Sequence, residues 1–291
     1  MRLGIFSNET RDNNYEIANL CARLILKHGA VPVFDEEFKD SELIERIPGV
    51  VFDNFSTCDL IISIGGDGTL LNVVSRYRQY QVPFVGINKG SIGFLTEIEI
   101  DRIEESIVIL INKDYTLCER FQLLCKVKNS EGEIKGEYIC LNDCVVTRGS
   151  HLNIVKMQLW IDDQYVERFY GDGIIVSTPT GSTAYSLAAG GPILMPNMKN
   201  MLVTPLNPHT LQASRYCISY KSKIEIKLDN FEHAPIISPD GYLGVDLEPH
   251  DTIEITGYDT PIRTVSMGYS GFFETVRSKI AARGNFYEFK K

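Results

Sequence analysis

Leu60-Ile61-Ile62-Ser63-Ile64-Gly65-Gly66-Asp67-Gly68-Thr69-Leu70-Leu71 is the stretch whose reading decides the fold. Leu60 to Ile64 is an apolar run interrupted only by Ser63. It is too short for a helix and reads as a buried, parallel strand. Leu70, Leu71, Val73 and Val74 then recur at helix-compatible spacing, so Gly65 to Thr69 is a strand-to-helix turn. Such a turn offers unpaired backbone N–H groups and the positive end of a helix, which suits phosphate. Its three glycines let a ligand approach the backbone closely. Gly65, Gly66, Gly68 and Thr69 are therefore the phosphate-binding candidates. Asp67 is the odd member, because a carboxylate repels a phosphate. It should hold a metal, cap the helix or take a proton. The plainer reading makes Asp67 or Thr69 an ordinary N-cap and the glycines mere chain turns. The stretch is neither the phosphate loop with Lys-Ser/Thr after its last glycine nor the spaced three-glycine dinucleotide fingerprint.

Working outward, Leu3 to Ser7 reads as a first strand, and Ile17, Leu20, Cys21 and Leu24 mark a helix face that Gly29 can terminate. Val31 to Phe34 is a second strand. The acidic segment Asp35 to Glu45 reads as loop and solvated helix. Phe84, Val85 and Ile87 form the strand after the glycine turn, and Ile103, Ile107, Leu110 and Ile111 another amphipathic helix. This alternation predicts a doubly wound, Rossmann-like α/β domain over residues 1–114. In such sheets ligands sit at the carboxyl ends of the strands. The glycine turn lies at such an end, as does Asn88-Lys89-Gly90-Ser91-Ile92-Gly93.

After about residue 115 the period changes. Leu123 to Lys128, Tyr138 to Thr147, Ile154 to Ile161, Tyr165 to Phe169, Lys223 to Leu228, Leu243 to Leu247, Thr252 to Ile255 and Ile262 to Met267 are β-like, and Asp240-Gly241 is a hairpin signal. The expectation is a mainly β domain over 115–267, with the segment 268–291, helical from Phe272 to Ile280, packing back on the first domain. One island breaks the β pattern. From Ser177 to Ser186, seven of ten residues carry hydroxyls, and Gly190-Gly191-Pro192 can end a short helix that Ser182 or Thr183 caps. A flexible linker has similar composition. Tyr185 and the flanking apolar strand point instead to a packed segment, one whose hydroxyls and ring suit a ribose and a stacked base.

The 291 residues, 44% hydrophobic, allow one large or two ordinary cores. No apolar stretch approaches the roughly 20 residues of a membrane span, and no charged-then-apolar leader precedes Leu3. The net charge of −9 argues against nucleic acid or an anionic membrane surface as the main partner. It also sits uneasily with a phosphate site, a tension that magnesium on the phosphates would relieve. The seven cysteines include no Cys-x-x-Cys pair, and the five histidines are scattered. They read as reduced thiols of a cytoplasmic protein, with no zinc site and no protein-held metal.

Together these stretches resemble the NAD kinase family over nearly the whole chain. The glycine turn alone is shared with lipid kinases and, more loosely, phosphofructokinases. Asn88 to Leu95, Asn142-Asp143 and above all Gly171 to Pro192 make the resemblance specific. It implies transfer of a phosphoryl group from ATP, with a divalent cation, to the adenosine ribose 2′-hydroxyl of NAD, giving NADP. Asp67 would accept the proton. NAD would lie against Asp67, Gly68, Phe94, Asn142, Asp143, Thr183, Ala184, Tyr185 and Ser186. Asp172 would meet the nicotinamide amide, often that of a neighbouring subunit in a homodimer or homotetramer. Two positions depart from the family pattern. Asp143 stands where Glu is usual, and Tyr242 where glutamine is common.

A carboxylate in a phosphate-binding turn makes sense where two substrates meet, since a ribose hydroxyl needs its proton removed as the P–O bond forms. Two rivals share part of the pattern. A lipid kinase would need an apolar groove, which the Ser177 to Ser186 segment fits poorly. A non-catalytic NAD or NADP sensor would have no use for Asp67.

Overall fold

The computed structural model describes residues 1–44, 47–89, 93–209, 214–269 and 271–284. Glu45 of the acidic stretch and Gly90, Ser91 and Ile92 of the second strand-end stretch lie outside them, as do Ser270 and residues 285–291 of the C-terminal segment. The chain separates into two compact units, one of Met1–Glu119 with Ile262–Lys291, the other of Arg120–Pro261.

The first unit holds β1 (Arg2–Ser7), α1 (Glu16–Lys27), β2 (Val31–Phe34), β3 (Val51–Phe52), β4 (Leu60–Gly65), α2 (Asp67–Tyr77), β5 (Phe84–Asn88), β6 (Ile98–Glu99) and α3 (Ile103–Asn112). Its strands pair in parallel in the order β3-β2-β1-β4-β5-β6. Every residue of β4 is buried, as a central strand covered on both faces requires. α2 buries Leu70, Val73, Val74 and Tyr77, one stripe at helical spacing. α1 is rotated relative to the expected face. Ile17, Ala18, Cys21, Ala22 and Ile25 are buried, while Leu20 and Leu24 are half-buried at its flank. Gly29 ends α1 with φ +79°, its N–H bonded to the Leu26 carbonyl at 3.1 Å.

β1 and β4 are adjacent, and the chain leaves β1 toward β2 on one side and returns to β4 and β5 on the other. This is where the strand order reverses. Their carboxyl ends therefore splay apart and open a crevice.

The chain continues with β7 (Thr116–Lys128), β8 (Ile134–Cys140), β9 (Asp143–Thr147), β10 (Val155–Ile161), β11 (Gln164–Gly171), β12 (Gly173–Ser177), α4 (Tyr185–Ala188), β13 (Asn200–Leu206), β14 (Tyr216–Ser219), β15 (Ile224–Leu228), β16 (Ile236–Pro239) and β17 (Thr252–Ser266), the second unit beginning within β7 and ending within β17. β14-β13-β12-β9-β16 form one antiparallel sheet. β11, β10, β15 and the first part of β17 form an antiparallel run. Val146, Met157, Ile174, Val203, Ile226 and Ile253, contributed by both sets, share one buried core with Leu123 of β7. α5 (Phe272–Gly284) follows β17.

Several strands differ from the expected ones. The run Tyr138 to Thr147 is two strands, because Leu141 and Asn142 give their N–H groups to the Asp240 carboxylate instead of a ladder. Leu243 to Leu247 is not a strand. The Val245 N–H goes to the Tyr138 hydroxyl at 2.7 Å, and a single bridge joins Asp246 to Ile236. The runs at 252–255 and 262–267 are one continuous strand, β17. The strands β13 and β14 escape a sequence reading, since Pro205 disguises β13 and β14, Tyr216-Cys217-Ile218-Ser219, is only four residues long.

Candidate functional site

A cavity of about 550 Å³ occupies the crevice at the ends of β1, β4 and β5 in the first unit. Phe6 comes from β1, and Asn8, Thr10 and Arg11 from the segment after it; Gly66 joins β4 to α2, which contributes Asp67, Gly68, Thr69, Asn72 and Arg76; Lys89 and Gly93 come from the segment after β5. Gly66 is the N-cap of α2, and its carbonyl accepts from Thr69 and Leu70 at 3.0 and 3.2 Å. Asp67 and Gly68 open the helix into the cavity, with nothing within 4 Å of where a Gly68 side chain would stand. Gly65 is required by packing, since a Cβ there would overlap Thr69.

Asp67 does not cap the helix. Its Oδ2 accepts from Phe94 N at 2.6 Å and its Oδ1 from Leu95 N at 3.0 Å. The carboxylate thus ties the end of β4 to the chain after β5. Gly93 permits the approach, because a Cβ there would overlap the carboxylate. Each oxygen spends one acceptor site on a backbone N–H and keeps another. The plainer N-cap reading fails here: neither Asp67 nor Thr69 makes a capping bond. The Phe94 ring lies under Lys279 Nζ of α5 at 5.3 Å.

The cavity is less anionic than a net charge of −9 would imply. Lys89 reaches Asp12 Oδ1 at 3.6 Å. Asp12 is fully buried and accepts from Ser7 Oγ, Ile17 N and Ala18 N at 2.9, 3.0 and 3.0 Å. It thereby seats the start of α1 against the end of β1 and holds Lys89 at the rim. Arg76 is neutralised by a two-point bond to Glu37 at 2.9 and 3.0 Å. Among the described residues lining the cavity, Arg11, and Lys89 with its longer contact to Asp12, are the cations for an anionic ligand. A sequence reading missed Asn8, Thr10 and Arg11. The signal for them is topological, because they follow the strand beside which the order reverses.

The second unit places the remaining candidates in two groups. Asn142 and Asp143 open β9, both buried, with Thr178 N donating to the Asn142 carbonyl at 2.8 Å and Thr178 Oγ1 to the Leu141 carbonyl at 2.6 Å. Gly181 is packed onto the same carbonyl, where a Cβ would overlap the Asn142 backbone. Burial, with the Asp240 carboxylate second, pushes the Asp143 carboxyl up to about 7. Thr183 Oγ1 donates to Thr180 O at 3.1 Å, and Ser186 Oγ lies 3.0 Å from Thr204 Oγ1. Ala184 is the hinge into α4, and Tyr185 projects outward, 49% exposed.

Asp172 stands apart, between β11 and β12. Asn207 Nδ2 and Arg148 Nε donate to its carboxylate at 2.8 and 2.7 Å, and these bonds hold it below the usual carboxylate range. The side chains of Asn142, Ser177 and Thr180 each keep one buried oxygen with no partner, a set of unused acceptors beside β9 and β12.

All seven cysteines are free. Burial pushes the Cys21 thiol up to about 12 and Cys58 up to about 11, which removes them as nucleophiles at neutral pH. Among the described residues, no group of three His, Cys, Asp or Glu side chains is placed to hold a metal ion. No helix among them is long and apolar enough to cross a membrane.

Two family models match this chain: the ATP-NAD kinase N-terminal domain over residues 3–115 and the ATP-NAD kinase C-terminal domain over residues 141–267. The NAD kinase of Ruminiclostridium cellulolyticum is 34% identical over 286 residues, covering 97% of this chain and 98% of its own. That of Caldanaerobacter subterraneus subsp. tengcongensis is 31% identical over 282 residues, covering 97% and 99%. Among solved structures, yeast NADH kinase complexed with NADH superposes with a TM-score of 0.83 at 23% identity, covering all of this chain and 89% of that one. An NAD kinase from Archaeoglobus fulgidus in complex with ATP gives 0.73 at 22%, covering 97% and 99%. At those identities the two structures speak to the fold.

Proposed function

The chain belongs to the NAD kinase family and is a phosphotransferase acting on NAD, and on that premise we propose how its residues divide the work. The cavity at the ends of β1 and β4 takes the ATP phosphates. The N–H groups at the start of α2, with Gly65, Gly66, Gly68 and Thr69, cradle them, and Arg11 and Lys89 supply positive charge. Asp67 accepts the proton of the adenosine ribose 2′-hydroxyl as that oxygen bonds to the γ-phosphorus and ADP departs with the bridging oxygen. The observation that carries this reading is Asp67 itself. It is a carboxylate fixed by two N–H bonds at the mouth of an anion-binding turn, with an acceptor site left on each oxygen.

In this reading magnesium bound to the triphosphate would supply charge neutralisation on the transferring group. The donor set fits that role, since Asp67 is the one carboxylate among the described residues lining the cavity, too few oxygen ligands to hold the ion without the phosphates. The residues read as NAD contacts are Asp67, Gly68 and Phe94 in the first unit and, in the second unit taken by itself, Asn142, Asp143, Thr183, Ala184, Tyr185 and Ser186. Tyr185 is the stacking surface for a base. Asp172, clamped as a fixed anion, receives the nicotinamide amide of a neighbouring copy in a homodimer or homotetramer. Unbridged thiols support a cytoplasmic location.

The test is product formation. MgATP and NAD should yield NADP and ADP in equal amounts, while a diacylglycerol acceptor should yield nothing. Tight NAD binding with no turnover would replace the enzyme by a sensor.

A further inference from the structure

Asp240 is not among the residues that touch a nucleotide in this reading, yet the start of β9 hangs on it. Its Oδ2 accepts from Leu141 N at 2.6 Å, and its Oδ1 from Asn142 N and Asp143 N at 2.7 and 3.0 Å. Its own N–H returns to the Asp143 carbonyl at 2.8 Å. To make these bonds it adopts φ +47°, followed by Gly241 at +83°, a left-handed pair that only a tight turn explains. Three successive N–H groups converging on one carboxylate form an anion nest whose anion is built in. The nest is the reason the strand breaks between Cys140 and Asp143.

We propose that Asp240 is a positioning residue for NAD: by binding the N–H groups of Leu141, Asn142 and Asp143 it sets where Asn142 and Asp143 present their side chains. The inference rests on the reading of those two residues as NAD contacts.

Two further observations support it. Asn142 keeps a buried side-chain oxygen with no partner among the described residues, an acceptor held in place for a ligand. Asp240 is also the charge that faces Asp143, adding to burial in keeping its carboxyl protonated toward neutral pH. The other groups around Asp143 are the buried thiols of Cys140 and Cys144, both pushed well up, and Ser177 across the β12 pairing. A protonated Asp143 donates a hydrogen bond where an ionised one accepts. Asp240 therefore sets the place of that carboxyl and, second to burial, favours its hydrogen-bond-donating form.

The experiment is steady-state kinetics of Asp240→Asn from pH 5.5 to 8.5 (about the range in which the Asp143 carboxyl titrates). An amide cannot accept from all three N–H groups. KM for NAD should rise about tenfold to a hundredfold, while kcat and KM for ATP change by no more than about threefold. The inflection of KM for NAD with pH should move down, because Asp143 has lost the neighbouring charge, and Asp143→Asn should abolish it. A purely structural Asp240 would lower the thermal midpoint and leave KM for NAD and its inflection where they were, which overturns the proposal. Asn142→Ala separates the layers. If it leaves KM for NAD unchanged, the NAD-contact reading itself falls; if it raises KM while Asp240→Asn does not, only the role of Asp240 falls. Should Asp240→Asn not fold, hydrogen exchange of the unaltered protein decides. The amides of residues 141–143 should exchange about a hundredfold or more slower than open chain in the absence of NAD. Exchange at open-chain rates would overturn the proposal.

Discussion

The turn Gly65 to Thr69 and the turn Pro179 to Ser186 each follow a buried strand, lead into a helix and consist almost wholly of small residues. They use those residues in opposite directions. The first is open because side chains are missing: nothing stands within 4 Å of a Gly68 side-chain position, and the helix begins at a cavity. The second is closed because its side chains point inward. Thr178, Ser182 and Thr183 donate to the carbonyls of Leu141, Pro179 and Thr180, and Ser186 pairs with Thr204. A glycine turn admits a ligand to the backbone. A hydroxyl turn bonds its own backbone, becomes stiff, and presents whatever projects from it, here Tyr185. One turn is suited to charge stabilisation and the other to a fixed recognition surface.

The contrast can be broken at the first turn by Gly93→Ala. A methyl group there would overlap the Asp67 carboxylate and push it from its two N–H partners. Displacing a reacting group by about 1 Å costs on the order of a hundredfold, so kcat should fall by that much while NAD still binds. Next in size is Lys89→Ala. It removes a cavity cation and frees Asp12, and KM for ATP should rise about tenfold with a smaller change in KM for NAD, as one charge-assisted phosphate contact predicts.

The second turn predicts a split between neighbours. Tyr185→Ala removes an exposed ring and should raise KM for NAD about tenfold, since stacking on a base contributes roughly 1–3 kcal/mol. Ser186→Ala removes a hydroxyl already bonded to Thr204, and should affect KM less and the thermal midpoint more. Equal effects on KM would erase the distinction between outward ring and inward hydroxyl.

The smallest effect is a pH-dependent one. The Asp143 carboxyl, held up to about 7 by burial and Asp240, has an unfolded value of about 3.9. The folded state therefore binds this proton more tightly. The contribution to stability is fully present below about pH 4 and is lost as pH rises toward the folded value, staying flat above it. Asp143→Asn, which cannot ionise, should gain stability relative to the parent across that window in the absence of NAD. Thermal midpoints at closely spaced pH values would show it.

How much of this was legible in the sequence follows from the same contrast. Alternating apolar strands and helix stripes give the α/β half directly, because β4 and α2 bury the residues their periods indicate. The antiparallel half yields its class but not all its strands, since the N–H groups of Leu141, Asn142 and Val245 are taken by the side chains of Asp240 and Tyr138, partners 98 to 107 residues away in the chain. The glycine turn announces an anion site locally. Arg11 does not, because its place depends on which strand lies beside β4. The helix-capping role open to Asp67 from sequence was removed by a partner 27 residues further on.

The central claim is that Asp67 takes the proton, and the direct measurement is the rate of Asp67→Asn at saturating NAD, ATP and magnesium, beside its thermal midpoint. An amide keeps the shape but sets its NH2 against one of the N–H donors, so stability should fall by about 1–3 kcal/mol. Nucleotide binding should persist, and kcat should fall about 10²–10⁴-fold, the usual worth of a general base. A metal-holding Asp67 would instead show itself as a raised magnesium requirement, with the rate recovering at high magnesium. A folded variant turning over within about threefold of the parent would contradict the account, because the loss of a base shows in kcat.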